Sequence, residues 1–281
     1  MELLTTIKGV RGLVAEAKAK GKRVGFVPTM GALHDGHISL VKAAREQCDF
    51  VVVSIFVNPT QFGPGEDINA YPRPLDNDLT RCKENNVDVV FAPSTEQMYP
   101  QKNLSWVEVE KLAEPLCGRN RPTHFRGVTT VCTKLFNIVG PDIAYFGQKD
   151  AQQAIVIRRM VEDLNMPLEI IVCPTVREKN GLAMSSRNKY LNDEEKKQAT
   201  LLYAALQECE VLIAAGMLDS KNLTEEMRKL LALGKDIKID YISIVNADTI
   251  EEIEIVKGKV LVALAAKIGP ARLIDNVLLN V

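Results

Sequence analysis

Val24–Leu40, VGFVPTMGALHDGHISL, is the stretch that decides how this chain is read. Val24, Gly25, Phe26 and Val27 form an apolar run suited to a buried strand, and Pro28-Thr29-Met30-Gly31 ends it in a turn. His34-Asp35-Gly36-His37 then opens a segment carrying Ile38, Leu40, Val41 and Ala44 at helical spacing. Strand, tight turn and helix start are how a doubly wound sheet holds a phosphate: the helix end offers unpaired backbone N–H groups and about half a positive charge. Two imidazoles at i and i+3 stand beside that end on one face. Gly36 leaves room between them for a large group to approach the backbone.

Working outward, the N-terminal residues read as a short helix before the first strand. Phe50–Val57 is apolar on both faces, as a central parallel strand should be. A charged helix over 75–85 leads into a third strand, 87–92. Leu104–Glu110 alternates like a peripheral strand. From Gly127 to Val139, the residues Val128, Val131, Cys132, Leu135, Phe136 and Val139 make a wide helical stripe. Ile143–Phe146 is a brief strand, Asp150 is placed to cap a helix bearing Ala154, Ile157, Val161 and Leu164, and Leu168–Cys173 completes the sheet. Beyond the polar run Pro174–Asn192 the character changes: helices after Asn192 and over 222–233, then strands over 238–245, 259–267 and 271–279. The expected fold is α/β, a Rossmann-like doubly wound parallel sheet (residues 1–178) with a second, smaller α+β C-terminal domain (179–281).

Composition narrows the classes of function. The 281 residues carry a net charge of −1, so no field of one sign draws the chain to nucleic acid or a membrane surface. No apolar run approaches the length of a membrane span, and the N-terminus has neither a basic start nor a continuous apolar stretch. Six scattered cysteines without a CxxC pair point to reduced core thiols in a cytoplasmic protein, with no catalytic or metal role.

The polar clusters PTMG/HDGH, NPTQF and FGQKD each follow a strand, and a parallel sheet brings such ends to one rim. In FGQKD, Gly147 permits close backbone approach and Lys149 supplies a mobile positive charge. MSSRN offers two hydroxyls and an arginine suited to a triphosphate. Gln61 and Gln153 are neutral groups able to grip a hydroxy acid without drawing its carboxylate into an ion pair. Arg119, Arg121, His124 and Arg126 form a basic cluster that fits either a solvated loop or an anion-binding edge. Asp35, Asp67, Asp76 and Asp78 are within the range of residues that reach magnesium, but their spacing makes no dedicated metal site. Three other readings use the same residues: an adenylyltransferase acting on a phosphate, a zinc hydrolase built on the three histidines, and a nucleotide sensor without turnover.

HDGH resembles the HIGH motif of the nucleotidylyltransferase superfamily, and Met184-Ser185-Ser186-Arg187 resembles its KMSKS-type loop, with Arg187 as the remaining cation. Taken in order, PTMGALHDGH, VSIFVNPTQF, YPR, RPTHFRGV, YFGQKDAQQ, PTVRE and GLAMSSRN resemble the pantothenate synthetase (pantoate-β-alanine ligase) family. One departure is Thr123, where the family pattern has glycine. The resemblance implies a homodimer and a two-step reaction through pantoyl adenylate, with ATP as substrate accompanied by Mg2+. It also implies that Met30, Gly31, Ala32, Leu33, His34, Asp35, Gly36 and His37 meet ATP, with His37 the assigned proton donor and His34 its neighbour. Gly147, Gln148, Lys149, Asp150, Val176, Met184, Ser185, Ser186 and Arg187 would complete the nucleotide site. Catalysis would fall to His34, His37, Lys149, Ser185, Ser186 and Arg187. Gln61 and Gln153 would hold pantoate, and Gln61 would also meet β-alanine. From the residues themselves, His37 at a helix N-terminus is better suited to donating a hydrogen bond than to carrying a charge.

Overall fold

The apolar runs of the first two thirds of the chain form a six-stranded parallel sheet in the computed structural model, which describes residues 1–281. In chain order the elements are β1 (Glu2–Leu4), α1 (Ile7–Ala19), β2 (Val24–Thr29), α2 (Asp35–Gln47), β3 (Phe50–Ile55), α3 (Leu75–Glu84), β4 (Val89–Phe91), α4 (Thr95–Met98), α5 (Cys117–Asn120), α6 (His124–Val139), β5 (Ile143–Gly147), α7 (Ala151–Asp163) and β6 (Glu169–Cys173). The strand order is β1-β4-β3-β2-β5-β6, and the order reverses between β2 and β5, the switch point at which such sheets bind ligands.

Period-two alternation divides the core. Phe26 and Val52 face α1, α6 and α7, whereas Val27, Val51 and Val53 face α2 and α3. Every residue of the stripe expected on α6 is buried.

Three local expectations are corrected. The N-terminus begins with a strand: Glu2–Leu4 pairs in parallel with Val89–Phe91 before the helix starts, and three residues are too few to show a period. Leu104–Glu110 is not a strand. Leu104 is 86% exposed, and the backbone of Val107 bonds instead to the hydroxyls of Thr129 and Thr130 on α6. Leu164 lies just past the end of α7 and is 51% exposed, outside that helix's buried side.

The chain divides into two compact units. The larger comprises Met1–Glu114, Gly118–Gln148 and Gln153–Pro174; the smaller comprises Pro115–Cys117, Lys149–Gln152 and Thr175–Val281. In the smaller, α8 (Asp193–Ala214) and α9 (Ser220–Leu231) cover an antiparallel sheet of order β7 (Ile237–Asn246), β8 (Lys259–Ile268) and β9 (Ala271–Asn280). Asn192 and Glu195 cap α8 reciprocally, each side chain accepting from the other's backbone N–H at 2.9 and 2.8 Å. No helix is long and apolar enough to cross a membrane.

Candidate active site

In the larger unit β2 ends at Thr29, β3 at Ile55 and β5 at Gly147, so the segments that follow leave from one edge of the sheet. The PTMGAL turn is set from two sides. Thr29 Oγ1 donates to the Ser54 carbonyl at 2.7 Å and accepts from Gly31 N at 3.1 Å. Gly31 and Ala32 both adopt positive φ, 80° and 50°, which bends the chain sharply enough to aim two successive N–H groups the same way. Ala32 N and Leu33 N donate to the two carboxylate oxygens of Asp78 at 2.8 and 2.7 Å. Asp78, on α3, is buried and serves as a clamp on this turn.

His34 caps α2 and His37 occupies its first turn, their rings 4.1 Å apart between centroids. His34 N donates to His37 Nδ1 at 3.3 Å. With Nδ1 accepting, the neutral ring carries its hydrogen on Nε2, which is then a donor. Asp35 pairs with Arg81 at 3.1 Å. With Asp78 engaged by backbone and Asp35 by arginine, two of the four aspartates considered for magnesium have other partners. No group of three or more His, Cys, Asp or Glu side chains is arranged to hold a metal ion.

Gln61 is buried, and both ends of its amide are engaged. Asn58 Nδ2 donates to its Oε1 at 3.1 Å, and its Nε2 donates to Met30 Sδ at 3.1 Å, tying the NPTQF turn to the PTMG turn. Asn58 in turn donates to the Gly127 carbonyl and accepts from Tyr99 OH at 2.9 Å. Gly127 is required here: a Cβ would lie 2.4 Å from the Thr60 carbonyl oxygen and 2.6 Å from Gln61 N. Much of the basic cluster resolves into supports of this turn. Arg121 makes a two-pronged pair with Glu66, 2.6 Å on each arm, and donates to the Gln61 carbonyl at 3.3 Å. His124 Nδ1 contacts that carbonyl at 2.8 Å, and Arg126 stacks on Trp106. Burial works to raise the Glu66 carboxyl, but the hydrogen bonds and charge of Arg121 outweigh it and hold the group below its usual range. Thr123 has φ −96°, a conformation open to any residue, so threonine fits where the family pattern has glycine. Gln153 lies in the first turn of α7 and is partly exposed.

In the smaller unit Lys149 Nζ stands 3.5 Å from Asp150 Oδ1, in a 3-10 turn, Gln148–Asp150, that leads into α7. The run Val176–Met184 folds back on itself: Met184 N donates to the Val176 carbonyl, and Arg177 pairs with Ala183. Ser185 Oγ then accepts from Arg187 N at 3.2 Å, opening a 3-10 turn, Ser186–Tyr190, in which Ser186 is buried. Arg177 anchors the fold-back with two bonds to Asp275, at 2.6 and 3.0 Å, and its guanidinium lies 3.6 Å from the Tyr203 ring centroid. The six cysteines are free and buried; burial pushes the Cys82 and Cys132 thiols up to about 12 and Cys209 to about 11, which leaves them poor nucleophiles.

The profile of the pantoate-β-alanine ligase family matches residues 2–278. The chain belongs to the pantoate-β-alanine ligase family. A relative named pantothenate synthetase from Acetivibrio thermocellus is 54% identical over 281 residues, covering 100% of both chains. The solved pantothenate synthetase of Thermus thermophilus superposes with a TM-score of 0.94 at 42% identity, covering 99% of each chain. The Francisella tularensis pantoate-β-alanine ligase, whose structure is a complex with β-γ ATP and β-alanine, gives 0.81 at 38% identity over 99% of this chain and 97% of that one. This member of the pantoate-β-alanine ligase family is therefore an enzyme, which removes the sensor reading, and a ligase, which removes the hydrolase. Asp275 and Asn276 are supports that the motifs do not contain; Asn58 and Arg177 lie inside quoted motifs without a role assigned there, and Asp78, weighed in the sequence only for magnesium, instead holds the backbone of Ala32 and Leu33.

Proposed function

We propose that this chain joins pantoate to β-alanine in two steps driven by ATP. In the first, a pantoate carboxylate oxygen attacks the α-phosphorus of MgATP; the new O–P bond forms as the α–β bridge breaks, giving pantoyl adenylate and pyrophosphate. In the second, the β-alanine amine attacks the acyl carbon, the C–O bond to phosphate breaks, and pantothenate and AMP leave after the nitrogen loses a proton. Neither step needs a protein nucleophile; both need orientation and stabilisation of charge on phosphate.

The observation that carries this reading is the family match over residues 2–278. In our assignment Met30–His37, Gly147–Asp150, Val176 and Met184–Arg187 bind ATP, with Lys149, Ser185, Ser186 and Arg187 on the phosphates. His37 donates from Nε2 to phosphate oxygens, a role supported by the backbone N–H that occupies its Nδ1. Gln61 and Gln153 hold pantoate, and Gln61 meets β-alanine. The contact of Gln61 with Met30 supports this, because it ties the acid-binding amide to the nucleotide turn. Magnesium enters as part of MgATP, held chiefly by the phosphate oxygens. The family resemblance supports a homodimer, which sedimentation equilibrium checks as twice the chain mass. Six free buried thiols support work in the cytoplasm.

The test is isotope exchange between pyrophosphate and ATP. Exchange is expected with pantoate alone, and Lys149→Ala is expected to reduce it on the order of a hundredfold or more. Exchange that requires β-alanine contradicts the order of steps.

A further inference from the structure

Asp275 and Asn276 are neighbours in β9, the edge strand of the smaller sheet, and neighbours in a strand point to opposite faces. Both are nonetheless buried, at 3% and 5% exposure, in a strand otherwise made largely of apolar residues. Their partners explain why. Asp275 receives both arms of Arg177, the residue at the base of the fold-back that presents Met184–Arg187. Asn276 Nδ2 donates to the Lys149 carbonyl at 2.9 Å. Asp275 Oδ1 also accepts from Asn276 N at 2.8 Å, on the outward side of the edge strand, so the two side chains are held in one arrangement. The turn Ser186–Tyr190 packs on this same strand.

We propose that Asp275 and Asn276 are positioning residues for the adenylation step, Asn276 fixing the backbone of Lys149 and Asp275 fixing the stem of the serine-arginine turn. The inference rests on the reading of Lys149 as a phosphate-binding cation. Two segments well separated in sequence thereby share one rigid support within the smaller unit. A lysine side chain is long and flexible, and its aim at a phosphate depends on where its own backbone is held. The bond to Asn276 restrains that backbone at the carbonyl.

The test is a double-mutant cycle between Asn276 and Lys149, read by pantoate-dependent pyrophosphate exchange. Asn276→Ala is expected to lower the maximal exchange rate about tenfold, the weight of one well-placed hydrogen bond, with the KM for pantoate unchanged. Asn276→Asp sets an oxygen against the Lys149 carbonyl and a second buried carboxylate beside Asp275, so it is expected to lose at least as much, and urea unfolding of both variants separates a folding defect from lost positioning. In the Lys149→Ala background either change is expected to alter exchange less than about twofold, since the residue acts through Lys149. A merely structural residue would multiply its loss in both backgrounds, and that result overturns the inference, as does parent-like exchange in both single Asn276 variants. Parent-like exchange in Lys149→Ala alone overturns the reading of Lys149 beneath it.

Discussion

Asn58 Nδ2 donates to Gln61 Oε1 across 3.1 Å and also to the Gly127 carbonyl at 3.1 Å. Both acceptors are oxygens, so only an amide NH2 satisfies them together. Asn58→Asp places a carboxylate against two carbonyls. It is expected to destabilise the fold by about 1–3 kcal/mol and to raise the KM for pantoate at least tenfold by releasing the Gln61 amide. Urea unfolding and initial rates over a pantoate series measure the two effects; an unchanged KM would show that Gln61 does not depend on Asn58.

The Asp78 clamp makes a second pair of expectations. Asp78→Asn retains one acceptor for the amides of Ala32 and Leu33 but turns an NH2 toward the other, leaving a buried donor unmatched. The expected result is a loss of about 1–3 kcal/mol in stability and a KM for ATP raised more than that for pantoate, since the clamp shapes the turn proposed above to bind ATP. Equal changes in both constants would count against that division of labour.

Glu66 links pH to the Gln61 turn. Its carboxyl lies below the usual glutamate range in the folded protein, so its stabilising contribution is fully present above the unfolded value and is lost as pH falls through the lowered folded value. The stability gap between the parent and Glu66→Gln, measured by urea unfolding, is expected to be largest near neutral pH and to close as acidification passes below the usual glutamate range. A gap independent of pH from about 7 to about 3 would mean that the charge on Glu66 is not what holds Arg121.

Asp275 and Arg177 form an ion pair whose side chains are 3% and 16% exposed. Asp275→Ala leaves the guanidinium stacked on Tyr203 with no carboxylate, and removal of one partner from such a pair typically costs about 3–5 kcal/mol. A drop in thermal midpoint, followed by calorimetry, is expected for Asp275→Ala. A smaller drop is expected for the double variant Asp275→Leu with Arg177→Met, which removes both charges.

The sheet was legible because its strands are buried on both faces and therefore read as apolar runs; Val24–Val27 and Phe50–Val57 identify themselves. β1 was not, because three residues carry no period and their pairing with β4 is decided by residues far along the chain. Leu104–Glu110 alternates like a strand, yet threonine hydroxyls of α6 take up the backbone of Val107, and alternation cannot report what partner is on hand. Among the candidate segments, HDGH, QKD and MSSR announce themselves by residue type. The supports do not: Asp78 reads from the sequence as one of four acids considered for magnesium, whereas its role lies in where the PTMGAL turn comes to rest. Asn276 left a fainter trace, a polar pair interrupting an apolar strand.

The backbone contact at Gly127 bears on redesign. At Gly127 the α6 backbone lies so close to Thr60 and the Gln61 backbone that any side chain there would collide with main chain, so this contact offers no room for change. The adaptable neighbour of Gln61, proposed above to hold the hydroxy acid, is Met30, whose flexible thioether accepts from the Gln61 amide. Libraries aimed at bulkier hydroxy acids should vary that methionine and leave the glycine alone.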